Sequence, residues 1–375
     1  MPWPKYMNVT RFESLLAESN FDVVVASSLK NVYYTSGALI ETQRRIPLRL
    51  ALTVLPREGD PTFIVCNIEE RHARDESPIE DIRTYVEFQE SPIEMLADVL
   101  REKGLDQKTV GIEKEHLIAT YYEELLQRLP KAKLETADSF LEKVRMIKTP
   151  PEIEVIKQAA IATEQAIFDA FAATKPGDQE KDLALRIKNN VVSLGADSIR
   201  ACVLGSGSNS LRAHHTPTEK PLLKGELVRL DFSAYFGAYA SDIARMAVIE
   251  TVSPTIQDVY KRYRDIQRAT IARLKPGTRA CDAYNFCREA FEKAGMALHT
   301  PHIGHSTGVN GGHEEPMLHP NNQQELEPNM MLYVEPFFRD PNVGAYHVED
   351  LVLLTEEGPE LLTTYSDTQE IYVIK

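Results

Sequence analysis

The chain repeats itself. Lys175-Pro176-Gly177 returns 100 residues later as Lys275-Pro276-Gly277, each preceded by a helix-like stretch, 163–171 and 265–274. A second helical pattern follows each tripeptide and stops at a glycine, 18 residues on from Gly177 at Gly195 and 18 on from Gly277 at Gly295. After the first unit come His214 and the pair Asp231 and Asp242; after the second come His305, His313 and the pair Glu335 and Glu349. Self-similarity at a fixed spacing marks duplication of one supersecondary unit, here helix, helix and hairpin. The C-terminal part is therefore expected to close as two facing copies, which brings all four carboxylates to one centre.

The local sequences place those carboxylates on strands. Asp231 sits in Leu227-Val228-Arg229-Leu230-Asp231-Phe232, Asp242 opens an apolar run after the turn at Gly237, Glu335 ends Met330-Met331-Leu332-Tyr333-Val334-Glu335, and Glu349 follows the turn at Pro341 and Gly344. Taken singly, an acidic residue near a hairpin reads as solvated surface. Embedded in apolar strand sequence, an ionised carboxylate is costly to bury without a cation. Four carboxylates and one imidazole match a carboxylate-bridged pair of divalent ions, and the imidazole suits manganese, iron, cobalt and zinc alike.

These motifs resemble the pita-bread metallopeptidases, in particular the two-domain creatinase, prolidase and aminopeptidase P subgroup. The resemblance rests on Asp231, Ser241-Asp242-Ile243-Ala244-Arg245, Gly304-His305, Glu335-Pro336 and Glu349-Asp350, in that order, and extends to the linker Val144-Arg145-Met146-Ile147-Lys148-Thr149-Pro150-Pro151-Glu152 and to Asn31-Val32-Tyr33-Tyr34. It implies an α/β N-terminal domain over residues 1–145 and an α+β pita-bread catalytic domain over 146–375 with an internal pseudo-two-fold repeat. It also implies a metal set of Asp231, Asp242, His305, Glu335 and Glu349, with Asp242 and Glu349 shared by both ions. Catalytic roles fall to His214, His313 and Glu335, and a hydroxide held between the ions is the implied nucleophile. Substrate contacts are His347 and Tyr34, the latter within a segment, 31–37, that reaches a partner's pocket in a homodimer.

Three positions depart from the family pattern. His313 lies eight positions after His305 where seven are expected, Ser306 replaces a glycine, and His347 replaces an arginine that cannot be exchanged conservatively in bidentate recognition. The departures bear on the substrate, leaving two enzyme readings: an Xaa-Pro peptidase acting on short peptides, or a relative acting on a small non-peptide metabolite, such as an ectoine-type hydrolase or a sulfonium-acid lyase. A metal-free scaffolding relative conflicts with the intact ligand set. His215, His302 and His319 are read as structural.

The remaining sequence sets the surroundings. Residues 21–26, 48–55 and 62–66 read as strands and 93–103 and 121–129 as helices, an α/β pattern. Thr149, Pro150 and Glu152 form a capping-box start for a helix with an apolar stripe at Ile153, Ile156, Ala160, Ile167 and Phe171. Met1–Ser14 lacks a targeting pattern, so a cytoplasmic location is expected. Four scattered cysteines indicate no disulfide framework, and Cys281 and Cys287 read as core. A net charge of -14 argues against nucleic acid and anionic membrane as partners.

Overall fold

The computed structural model describes residues 3–375, which form two compact units, one ending at Arg145 and one spanning Met146–Lys375. Met1 and Pro2, the start of the segment examined for a targeting pattern, lie outside the described residues. The first unit is a six-stranded sheet in the order β4-β3-β2-β1-β5-β6. Its strands are β1 (Val23–Ala26), β2 (Leu52–Pro56), β3 (Thr62–Cys66), β4 (Asp81–Tyr85), β5 (Thr109–Ile112) and β6 (Lys133–Thr136). Helices α1 (Val9–Glu18), α2 (Leu29–Ser36), α3 (Glu41–Arg45), α4 (Glu70–Glu76), α5 (Pro92–Glu102), α6 (Ala119–Arg128) and α7 (Asp138–Met146) connect and cover it. β1 and β3 are buried along their whole length, as uninterrupted apolar runs flanked by helices should be. The strand expected from residue 48 starts at Leu52 because a turn, with the Arg49 amide on the Ile46 carbonyl, follows Pro47.

In the second unit α8 (Pro150–Ala173) begins with the expected capping box: the Thr149 hydroxyl accepts from the Glu152 amide and the Glu152 carboxylate accepts from the Thr149 amide. The helix runs through the predicted 163–171 and ends before Pro176, which cannot continue it. The first copy then proceeds through α9 (Glu180–Ser193), β7 (Ser198–Ser206), β8 (Leu227–Phe236), β9 (Tyr239–Ala240) and β10 (Ile243–Ile249). The second copy runs α10 (Pro254–Ile271), α11 (Ala280–Lys293), β11 (Gly304–Ser306), β12 (Met331–Val334), β13 (Phe337–Asp340), β14 (Gly344–His347) and β15 (Asp350–Thr355). β16 (Gly358–Leu361) and β17 (Tyr372–Ile374) complete the sheets.

The duplication predicted from sequence is borne out bond by bond. α9 and α11 both have 14 residues. The Gly177 amide donates to Leu222 and the Gly277 amide to Leu326, at 2.9 and 2.8 Å. Gln179 bridges Pro221 as Arg279 bridges Glu325. The sheets are β17-β10-β8-β7, with β9 on β8, and β11-β12-β15-β16, while β13 and β14 pair only with each other. That last break differs from the continuous second hairpin expected: Pro336 has no amide proton, so the ladder stops after Val334. Glu335 and Glu349 therefore sit at the point where paired backbone opens.

Candidate metal centre

Strand alternation decides which carboxylates face inward. Ala244 of β10 pairs with Asp231 of β8, and Asp242 lies two residues before Ala244, on the face of that pair. In the other half His305 pairs with Tyr333, and Val334 pairs with Asp350, so one further step sets Glu335 opposite Glu349. The halves join where the Glu349 amide donates to the Ala244 carbonyl at 3.1 Å.

His305 Nε2 lies 3.5 Å from Glu335 Oε1 and 3.6 Å from Glu349 Oε1. Both oxygens are buried without a hydrogen-bond partner. The other nitrogen, Nδ1, is 2.8 Å from the Ser306 carbonyl, so its proton goes there and the Nε2 lone pair faces the carboxylates. Lone pairs facing one another at this range call for a cation. Two ligands each about 2.1 Å from a tetrahedral ion lie roughly 3.4 Å apart, close to the observed spacing. The residues present therefore fit a metal.

Three donor sets each fall within 4.8 Å: Asp242, His305 and Glu349; Glu335, His347 and Glu349; His302, His313 and Glu335. Asp231 is outside these sets but lines the same cavity of about 280 Å³ as Glu335, His214, His313 and His347. Burial, then the charges of Asp231 and Glu335, holds the Asp242 carboxyl well above the usual range. Burial and the charge of Asp242 do the same to Glu349. Asp231 is raised by burial too. Glu335 goes the other way: burial resists its ionisation, but the 3.0 Å hydrogen bond with His347 and the nearby His305 outweigh it and pull the carboxyl down to about 2. Desolvation, then the charge of His305, whose tilted ring is centred 4.3 Å away, brings the His313 imidazole down to about 4. Such crowding of buried carboxylates is relieved by bound cations.

A buried charge network fixes the carboxylates from behind. The Arg245 guanidinium meets Glu164 at 2.5 Å and Asp350 at 3.2 Å and donates to the Glu349 carbonyl at 2.5 Å; Arg264 meets Asp350 at 2.8 Å. Two guanidiniums against two carboxylates balance. Arg245 and Asp350 were legible only as motif letters. Glu164 and Arg264 went unread, although a charged residue on the apolar side of a helix is a usable signal.

The histidines divide differently from the expectation. His214 and His313 line the cavity, and so does His302, read from sequence as structural, with Nδ1 3.7 Å from Glu335. His215 is structural: it meets Glu180, away from the carboxylate cluster. His319 stays outside, accepting from the Asn321 amide. The extra loop residue is absorbed by three consecutive positive-φ residues, Asn310, Gly311 and Gly312. A Cβ on Gly311 would fall 2.3 Å from the Ala240 Cβ, so the loop lies flat over β9. Arg200 sits beside it, 3.5 Å from Asp242. Tyr34 belongs to the first unit, buried in α2, where its hydroxyl accepts from the Asn8 amide.

A duplicated helix-helix-hairpin fold that converges four carboxylates and an imidazole on one cavity defines a metallohydrolase of the pita-bread type. Residues 154–356 match metallopeptidase family M24 and residues 9–147 the creatinase/prolidase N-terminal domain, so the chain belongs to family M24 in its two-domain form. It is 30% identical over 368 residues to the Xaa-Pro dipeptidase of Lactobacillus helveticus, covering 95% of this chain and 96% of that protein. The crystal structure of a dipeptidase from Pyrococcus horikoshii superposes with a TM-score of 0.86 at 26% identity, covering 98% of this chain and 100% of that one. The prolidase of Pyrococcus furiosus gives 0.81 at 25% identity, with coverage of 95% and 100%.

Proposed function

We propose that this chain is a metal-dependent Xaa-Pro peptidase of the prolidase or aminopeptidase P type, which cleaves the bond to proline in short peptides. The carrying observation is the approach of two unpartnered carboxylate oxygens, Glu335 Oε1 and Glu349 Oε1, to the His305 lone pair, in a chain that matches Xaa-Pro dipeptidases almost end to end. The relatives favour a peptide over a small non-peptide metabolite.

Asp231, Asp242, His305, Glu335 and Glu349 would hold two divalent ions. When bound, such ions make water acidic enough to lose a proton near neutral pH and polarise the scissile carbonyl. The protein's own groups do the rest. His347 hydrogen-bonds Glu335 Oε2 and so fixes a carboxylate that would hold metal through Oε1 and handle the proton of the attacking water. His313 is neutral near pH 7, and with His214 it presents N–H donors to the cavity where charge develops on the carbonyl oxygen. Arg229 fixes the His214 loop by donating to the carbonyls of Arg212 and Ala213 at 2.6 and 2.8 Å.

The subgroup resemblance supports manganese as the working metal, a homodimer and a cytoplasmic location; no described helix is long and apolar enough to cross a membrane. The same resemblance gives segment 31–37 a place at a partner's pocket. Tyr34, buried there, serves by bracing that segment. The test is hydrolysis of Xaa-Pro dipeptides and Xaa-Pro-Yaa tripeptides by enzyme loaded with Mn, Co or Zn, with Asp242→Ala as control. Cleavage that disappears in the variant supports the reading, and length preference separates prolidase from aminopeptidase P. No cleavage despite two bound metals overturns it.

A further inference from the structure

The loop between His305 and His313 departs from the family pattern twice, in its length and at Ser306, and a buried lysine sits at its base. Lys148 lies just before α8, with its amide bonded to the Asn329 carbonyl at 2.9 Å and its side chain fully buried. Lys148 Nζ donates to Ser306 Oγ at 3.2 Å and lies 3.8 Å from Glu314 Oε2. Ser306 and Glu314 are buried too. The Glu314 carboxylate is folded back into the loop, since a Cβ on Gly308 would fall 2.7 Å from its Oε2. One ammonium therefore joins the two ends of the loop. Ser306 directly follows His305, and Glu314 directly follows His313.

The backbone by itself holds this base loosely. Ser306 and Glu314 form an isolated bridge in which the Glu314 amide donates to the Ser306 carbonyl at 3.2 Å. The Ser306 amide is shared between the carbonyls of Glu314 at 3.0 Å and Pro316 at 3.2 Å. A donor split between acceptors two residues apart does not fix a register, and a change of register would carry His313 away from His305. The Ser306 carbonyl also takes the Nδ1 proton of His305, so the base sets the orientation of that ring as well. The far side of the loop is tied to α8: Tyr239 bridges Val309 through its main chain and donates its hydroxyl to Glu152 at 3.0 Å. A buried ion pair adds little stability over an apolar pair of the same shape, but it tolerates only one arrangement of its partners.

We propose that Lys148, Ser306 and Glu314 are positioning residues that hold His305 and His313 at their working separation, with Ser306 Oγ giving the ammonium an acceptor that a glycine lacks. They act through the loop, and none of them holds metal or substrate. The kinetic part of the test rests on the peptidase reading; the other parts do not.

Ser306→Ala and Ser306→Gly are the mild variants, Lys148→Met the severe one and Lys148→Arg the conservative one. At saturating metal and with an Xaa-Pro dipeptide, Ser306→Ala should lower kcat by about 3- to 10-fold, the range for one hydrogen bond. Lys148→Met should lower it by about 10- to 100-fold, and Lys148→Arg should recover part of the loss. KM should change far less, because the displaced His313 donor acts on charge that develops in the transition state. Amide hydrogen exchange without substrate should speed up at Ser306 and Glu314 while β8 and β12 exchange as in wild type, and the ring nitrogen resonances of His305 and His313 should shift. If Lys148→Met does not fold, the two Ser306 variants decide. Unchanged exchange and ring resonances in those variants overturn the positioning role, and so does a lowered thermal midpoint with kcat intact. A wild type that cleaves no Xaa-Pro peptide sinks the peptidase reading alone, and the exchange and ring signals then decide the positioning role.

Discussion

At the residue scale, Asp242 and Glu180 act at opposite ends of the same strand system. Asp242 stands among like charges, and removing its carboxylate removes a donor shared by both halves. Asp242→Asn is expected to lower kcat/KM by more than the roughly 10- to 100-fold cost of disturbing an outer partner of a metal ligand, and to reduce bound metal measured by elemental analysis. Retention of both metals and of activity would refute the ligand set. Glu180 is the buried anchor of the segment 206–218, which carries His214. Its carboxylate accepts from the Ser206 amide and hydroxyl, the Asn209 amide group, and the Thr218 amide and hydroxyl, all at 2.7–3.1 Å. Burial opposes ionisation, but these donors win and bring the group down to about 2. A depressed carboxyl stabilises the fold above its unfolded value near 4.5, and that stability is lost as pH falls toward 2. Glu180→Gln should cost about 3 kcal/mol near pH 7 in urea unfolding and flatten this acid limb. Nothing in the sequence distinguished Glu180 from any acid in a first helical turn, because its donors come from β7 and from Thr218.

At the scale of elements, the start of α8 shows what a local pattern reveals and hides. The capping box was readable from Thr149, Pro150 and Glu152. That Glu152 is also packed against Tyr239, whose hydroxyl donates to its second oxygen at 3.0 Å, was not. Burial raises the Glu152 carboxyl to about 7, with Lys148 opposing. A raised carboxyl contributes stability fully present below about 4.5 and lost as pH rises through 7. Glu152→Gln keeps a competent cap residue, so its thermal midpoint should fall less than that of wild type between pH 5 and 8; an equal fall would show that Glu152 does not titrate there. In the loop 306–312, Gly311→Ala meets both a positive φ and the Ala240 Cβ. It should cost on the order of 1–3 kcal/mol in loop ordering, read as reduced turnover with little change in bound metal.

At the scale of the whole molecule, the two copies meet through groups that repel one another until cations arrive. Metal at 100 times its dissociation constant should stabilise the enzyme by about 2.7 kcal/mol, a rise of roughly 5–10 °C in thermal midpoint for a unit of this size. Asp242 and Glu349, both raised by burial, charge as pH climbs. The gain should therefore be larger at pH 8 than at pH 5, where protons also compete for the ligands. An equal gain at both pH values, or none, would count against the centre. The sequence by itself determined the duplication, the ligand types and the family, because spacing, strand alternation and turn residues are properties of short stretches. The inward faces of β8 and β12 were not legible in the same way, because both strands are buried along most of their length and show no period-two alternation. Only the tertiary structure decided that His302, Arg229 and Arg339 share one cavity with the metal ligands, and that Arg245 and Arg264 brace it. Those side chains come from strands, loops and helices far apart in the chain. Alternation tells which face a residue takes but not which other faces are packed against it.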